Sequence, residues 1–172
     1  FGRRMNPGRT EILINSLTDQ AAEMLKTEAT NRNISILKDY DPQVPVILSD
    51  PAQLEQIFIN IIGNSVKYTP EGGQVKVEFR KAEKGRICLA VADTGIGISK
   101  EDQEKVFDRF YRVDKARSRE MGGNGLGLAI AQEIVNLHQG TIAIDSDLGK
   151  GTTFLVTLKT KVKGKAKPLN ML

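Results

Sequence analysis

The sequence has 172 residues, 40% hydrophobic and 27% charged, proportions that suit one folded globular domain. A single cysteine and a single histidine exclude an internal disulfide, a zinc-type cysteine cluster and paired histidine ligands, and fit a reducing compartment. The net charge of +4 sits at the ends: residues 1–10 carry three arginines and no acid, residues 159–172 carry five lysines and no acid, and residues 11–158 hold 17 basic and 21 acidic side chains, a balance of −4. A duplex-binding module places its positive charge on a folded face, so no nucleic-acid partner is expected and the lysines read as a solvated tail.

Residues 1–9 read as a linker, because Gly2, Asn6, Pro7 and Gly8 resist regular structure. No charged leader precedes an apolar core, and no run reaches the ~20 apolar residues of a membrane span. A chain that opens on Phe1 is expected to be a piece of something longer.

From Thr10, as cap, the spacing of Ile14, Leu17, Ala21, Met24 and Leu25 predicts a helix running to Asn31–Asn33. Ile34 to Tyr40 and Val46 to Ser49 read as two short strands around the turn DPQVP. Asp50 then caps a helix with Pro51 in its first turn, and Leu54, Phe58, Ile62 and Val66 form its apolar stripe. Gln74 to Lys81 alternates as a strand wet on one face. Arg86 to Ala92, which alternates large Ile87, Leu89 and Val91 with small Cys88, Ala90 and Ala92, reads as a strand covered on both faces. Gly85 suits a hairpin between them.

Lys100 to Phe107 is expected as a short helix capped by Ser99, 108–124 as a long loop, and Leu126 to His138 as a largely buried helix. Thr141 to Asp145 and Thr152 to Lys159 are the last strands. The element order predicts an α+β fold: a two-layer sandwich with a mixed sheet backed by helices on one face.

Three features carry chemistry. Asn60, Asn64 and Lys67 interrupt the apolar pattern of their helix and fall within about 60° of one another. Such a set can hold a hydrated divalent cation and its phosphates, amide oxygens toward the metal and the ammonium toward the anion, or can be a solvent face. Asp93-Thr94-Gly95-Ile96-Gly97 follows a strand directly; its carboxylate can accept from an exocyclic amine while the glycines let backbone approach a flat ring, or it is a plain turn. Gly122-Gly123-Asn124-Gly125-Leu126-Gly127-Leu128 runs into a helix start whose N–H groups can cradle phosphate. Before it, Arg109, Arg112, Lys115, Arg117 and Arg119 against Asp108, Asp114 and Glu120 make a basic loop, a lid over a nucleotide or a disordered surface segment. Neither the G-x-G-x-x-G nor the G-x-x-x-x-G-K-[ST] phosphate pattern occurs.

Taken in order, N-x-x-x-N-x-x-K-Y (Asn60 to Tyr68), D-x-G-x-G (Asp93 to Gly97), F-x-x-F-Y-R (Phe107 to Arg112), G-x-G-L-G-L (Gly123 to Leu128) and G-T-T-F (Gly151 to Phe154) closely resemble the catalytic, ATP-binding domain of sensor histidine kinases. The segments look like that family's N box, first glycine box, F box and second glycine box. Ser65 stands where the family commonly has Ala, and Asn124 where it commonly has Thr.

The resemblance implies a Bergerat-type α/β sandwich over residues 10–160 with a lid at about 108–124, a linker at 1–9 and a basic tail at 161–172. It implies ATP and Mg2+ as ligands. Asn64 would hold magnesium, Asn60 would orient magnesium and the γ-phosphate, Lys67 would contact phosphate, and Arg112 would reach the phosphates. Tyr68 would pack beside adenine, Asp93 would accept from its amino group, and Gly95 and Gly97 would give the ring room. Gly123, Gly125 and Gly127, with Leu126 and Leu128 between and after them, would shape the lid hinge and the phosphate-facing helix start. Thr153 would join the adenine network through water.

The reaction implied is transfer of the γ-phosphoryl group to a histidine imidazole. In the family that acceptor lies on a separate dimerisation domain, absent here, and a response regulator follows it; the location expected is cytoplasmic. His138, at a helix end where the family often has a His-Gly turn, is expected to be structural, so the chain alone should not phosphorylate itself. Gyrase, chaperone and mismatch-repair ATPases share the fold but have Glu where Asn60 stands, which argues against rapid hydrolysis. A stand-alone serine kinase of the anti-sigma type and a nucleotide-binding module without phosphotransfer are the alternatives. Phe107, Phe110 and Tyr111 would dock on the dimerisation hairpin, with core packing the other reading of Phe107.

Overall fold

The computed structural model describes residues 9–44, 46–111 and 126–161. Five strands form one sheet: β2 (Ser35–Tyr40), β4 (Gln74–Ala82), β5 (Arg86–Asp93), β7 (Thr152–Lys159) and β6 (Thr141–Ser146), in that spatial order. β2 runs parallel to β4, and all other neighbours are antiparallel. Parallel pairing requires a crossover, and α3 (Pro51–Tyr68) supplies it. The α+β sandwich expected from the element order is therefore present, with α1 (Ile14–Met24), α3 and α5 (Gly127–Leu137) layered together and α3 and α5 reaching the sheet.

Alternation decides which sheet face is buried. Val75, Val77 and Phe79 of β4, Ile87, Leu89 and Val91 of β5, and Phe154, Val156 and Leu158 of β7 all point to the helices. Phe58 of α3 meets Phe79 edge-on, ring centroids 5.8 Å apart, each ring contributing about 1.5–3 kcal/mol of burial. The expected stripe of Leu54, Phe58, Ile62 and Val66 is buried, and so are Ile57 and Ile61, because α3 is flanked by both α1 and α5. β5 is not covered on both faces: Cys88, Ala90 and Ala92 are half-exposed on the side away from the helices. Their small size reflects shading by neighbouring strands rather than a second layer.

Two local expectations change. Thr10 does not cap a helix; Thr10–Ile12 is strand β1, paired antiparallel with β3 (Ile47–Ser49), and the helix that follows breaks at Leu25 into α1 and α2 (Lys26–Asn31). β2 and β3 do not form a hairpin either, because β2 joins the large sheet while β3 takes β1 as partner and bonds Thr160 O through Leu48 N at 2.7 Å.

The caps expected at Asp50 and Ser99 are present. The Asp50 carboxylate accepts from the Ala52 amide at 2.9 Å, and the Ser99 hydroxyl accepts from Asp102 at 3.2 Å at the start of α4 (Lys100–Gln103), shorter than expected. Between β4 and β5, Lys84 and Gly85 both take positive φ. Among the described residues, no helix is long and apolar enough to cross a membrane.

Candidate functional site

The site is assembled on the C-terminal half of α3, the loop after β5, the start of β7 and the start of α5. Asn60, Asn64, Lys67 and Tyr68 are half-buried, so the polar edge of α3 is not a freely solvated face. Asn60 faces the start of α5: a Cβ placed on Gly127 would sit 3.8 Å from the Asn60 amide carbon and oxygen. The Asn60 Oδ1 accepts from Gln56 Nε2 at 3.1 Å, whereas its Nδ2 is buried without a partner among the described residues.

α5 begins without a side-chain cap at Leu126 and without an acid in its first turn. A helix start carries N–H groups and the positive end of the dipole, an arrangement that suits an anion. Next to it lies a carboxamide whose amide group has an unmet hydrogen-bonding position. Flipping Asn60 and Gln56 together keeps their mutual bond and puts the Asn60 oxygen in the buried, unpartnered position, so the same side chain can offer either a donor to a phosphate oxygen or an acceptor to a metal ion. Among the described residues no group of three His, Cys, Asp or Glu side chains could hold a metal, so carboxamide oxygens are the donors on offer. Leu128 packs against the core.

Asp93 closes β5. Its Oδ1 accepts from the Gly95 amide at 2.8 Å and the Thr152 amide at 3.1 Å, which leaves Oδ2 to accept from a ligand. Burial raises the carboxyl's pKa above its ordinary value, opposed by the two backbone donors and by Ser65 nearby. The Ser65 hydroxyl is buried beside this carboxylate, close enough to favour its charge, but makes no hydrogen bond of regular geometry among the described residues.

The glycines have specific reasons to be glycine. A Cβ on Gly95 would lie 2.6 Å from Tyr68 O, so this residue seats the loop on the end of α3. Gly97, at φ +76°, would place a Cβ 2.0 Å from Asp147 O; the turn between β6 and β7, not a ring, accounts for its missing side chain. Gly151, at φ +83°, approaches the Asp93 carbonyl in the same way, 2.1 Å from a Cβ.

Thr153 is not brought to this cluster. Register pairs Asp93 with Thr152 and Thr152 with Ser146, and paired residues share a sheet face. Thr153 lies beside Ala92 on the opposite face. Thr152 is buried, its hydroxyl 2.8 Å from that of Ser146, which also donates to Gly151 O at 2.8 Å and accepts from Ile98 N at 2.8 Å. The residue on the Asp93 face is Thr152, one position before the Thr153 named from the sequence, and the inward series Phe154, Val156, Leu158 extends back to it. Gln56 and Ser146 gave no sequence signal.

In the F box, Phe107 packs on the core, Phe110 is 61% exposed at φ +67°, and the Tyr111 hydroxyl donates to Asp102. Arg109 pairs with Glu133 of α5 at 3.5 Å. Arg112, Gly123 and Gly125, with the rest of the basic loop, lie outside the described residues, as do most of the linker and tail.

Residues 49–162 match the family described as Histidine kinase-, DNA gyrase B-, and HSP90-like ATPase. The sensor histidine kinase WalK of Bacillus subtilis is 52% identical over 126 residues, 73% of this chain and 20% of WalK. The sensor-like histidine kinase SenX3 of Mycolicibacterium smegmatis is 41% identical over 157 residues, 91% of this chain and 40% of SenX3. Full-length ShkA, solved in complex with AMPPNP, is 30% identical with a TM-score of 0.77, covering 90% of this chain and 32% of ShkA. The chain thus spans between 20% and 40% of the length of these two curated relatives.

Proposed function

The chain belongs to the histidine kinase-, DNA gyrase B- and HSP90-like ATPase family, and on that premise we propose that it binds Mg-ATP and donates the γ-phosphoryl group to a histidine on a separate dimerisation domain, in a cytoplasmic two-component system that passes the group to a response regulator. One observation carries this reading: the Asn60 carboxamide, whose Nδ2 has no partner among the described residues, faces the start of α5 at Gly127, where Leu126 offers no side-chain cap. Asp93, beside the C-terminal turn of the same α3, supplies the acceptor for an adenine amino group.

In this reading Asn60, Asn64, Lys67 and the first N–H groups of α5 hold the phosphates, with Arg112 as a further phosphate contact. Asn64 and Asn60 provide the oxygens for magnesium, which when bound neutralises charge developing on the phosphates. Tyr68 flanks the base, and Thr152 takes the adenine-side role expected of Thr153. Transfer forms one bond, from an imidazole nitrogen to the γ-phosphorus, and breaks one, from that phosphorus to the bridging oxygen. ADP leaves with the electron pair, and the imidazole proton passes to solvent or to a base on the acceptor domain. Positioning and charge neutralisation suffice for such a transfer, and this chain's residues supply both.

His138 is unsuited to be the acceptor. It is 4% exposed, its Nδ1 donates to Ile134 O at 2.9 Å, and its Nε2 accepts from the Ser49 hydroxyl. Both nitrogens are therefore engaged and shielded. Asn60, an amide where the family's hydrolases carry a carboxylate, cannot take a proton from water, which favours transfer over hydrolysis.

Two experiments test the proposal. Calorimetric titration with magnesium and ATP should show binding that Asp93→Asn weakens about a hundredfold. With labelled ATP the chain should stay unlabelled alone and should label the histidine of an added dimerisation domain. Absence of binding, or acid-labile label on the isolated chain, would overturn the corresponding part.

A further inference from the structure

The last turn of α3 carries Lys67 and Tyr68, and all its terminal carbonyls are accounted for. Ser65 O accepts the Thr69 hydroxyl at 2.7 Å, and Tyr68 O accepts the Ile96 amide at 3.4 Å. The other three are taken by one side chain from a different element, Arg32. Its Nη1 donates to Val66 O and, at 2.9 Å, to Lys67 O, and its Nη2 donates to Thr69 O at 2.6 Å.

A helix end leaves about four carbonyls without intrahelical partners, and a cation there also complements the negative end of the dipole. A guanidinium does more than a point charge. Its donors are fixed in one plane, so a group bonded to three carbonyls at once fixes their relative positions, which an ammonium does not.

Arg32 is itself anchored at the end of α2. Its amide bonds Glu28 O at 3.3 Å and Ala29 O at 3.2 Å, and Asn33 at φ +55° turns the chain into β2. On the other side of the α3 terminus, Gly95 abuts Tyr68 O and Ile96 donates to it. The end of α3 is thus clamped between Arg32 and the loop that follows Asp93. That clamp sets where Lys67 and Tyr68 stand relative to Asp93.

We propose that Arg32 is a positioning residue for the nucleotide site: its guanidinium fixes the last turn of α3 against the Asp93 loop, and nucleotide affinity depends on it although it touches no nucleotide. This rests on the ATP-site reading above.

The test uses Arg32→Ala and Arg32→Lys in the full chain, with calorimetric titration of Mg-ATP well below each variant's melting temperature. Kd should rise about tenfold in Arg32→Ala, an effect the size of about one charge-assisted hydrogen bond. Arg32→Lys should not restore wild-type affinity, whereas millimolar methylguanidinium should lower the Kd of Arg32→Ala. Amide exchange at Tyr68 and Ile96 should quicken in both variants without nucleotide. If Arg32→Ala does not fold, Arg32→Lys carries the same comparison.

Wild-type Kd in the variants, even with a lowered melting temperature, overturns the proposal. So does a raised Kd that methylguanidinium leaves unchanged while Tyr68 and Ile96 keep wild-type protection. The ATP-site reading is judged separately, by wild-type binding and by its loss in Asp93→Asn.

Discussion

The Ser49 hydroxyl of β3 donates to Nε2 of His138, the residue that ends α5, inside a region where both side chains are buried. Because Ile134 O can only accept, Nδ1 carries the proton and the ring is the neutral Nδ1–H tautomer. Burial lowers the imidazole pKa below 6.5, Arg9 adds to this, and the Ile134 carbonyl and Asp50 oppose it. In the unfolded chain the histidine binds protons more readily, so its contribution to stability is fully present above pH 6.5 and is lost as pH falls below that. Chemical denaturation at mildly acidic and at neutral pH should show a larger acid loss in wild type than in His138→Gln. An equal loss would place the acid sensitivity elsewhere.

Asp93 works in the opposite direction. Its pKa is raised by burial, so the stability it contributes is present below pH 3.8 and is lost as pH rises through its folded value. At neutral pH the ionised carboxylate is a net cost that a neutral amide avoids, while an Asn oxygen can still accept from Gly95 and Thr152. Asp93→Asn should therefore melt at the wild-type temperature or higher and bind ATP about two orders of magnitude more weakly, since a donor then faces the base's amino group. A large fall in melting temperature would contradict this account of the site.

Gly127→Ala separates helix stability from ligand space. Alanine gains helix propensity over glycine, by less than the ~1 kcal/mol of an interior position because Gly127 opens α5, and its Cβ makes only ordinary contact with Asn60 at 3.8 Å. The methyl nevertheless projects toward the Asn60 carboxamide at the proposed phosphate position. The expected result is a higher melting temperature with a Kd for Mg-ATP raised about tenfold. Calorimetry together with thermal melts checks both.

The register of β7 yields a paired test. Thr152→Val removes a buried hydroxyl on the Asp93 face and should cost about 1 kcal/mol together with a several-fold loss of nucleotide affinity. Thr153→Val, on the open face beside Ala92, should change stability by less than about 0.5 kcal/mol and leave affinity unchanged. The reverse ranking would restore Thr153 to the adenine side.

Where local chemistry decides, the sequence was sufficient. Asp50 and Pro51 started α3, alternation set the buried face of β4, and the order of N box, glycine boxes and G-T-T-F marked the family. Those signals lie within a few residues of the structure they specify, because caps, turns and periodicity act over one or two turns of chain.

Tertiary structure decided the rest, because it depends on which distant segment supplies a partner. Thr10–Ile12 has helix-compatible spacing after it and becomes a strand only because β3 offers an unpaired edge. β2 leaves its neighbour in sequence to pair with β4, since α3 must cross between them. The face that Thr152 shares with Asp93 follows from strand register, the facing of Asn60 and Gly127 from α3 and α5 lying side by side, and the three bonds of Arg32 from the end of α2 meeting the end of α3. The sequence determined that this chain carries a nucleotide-site motif set on an α+β framework; only the folded arrangement, in which hydrogen-bonding groups separated by dozens of residues are held within about 3 Å, decided which side chains face one another there.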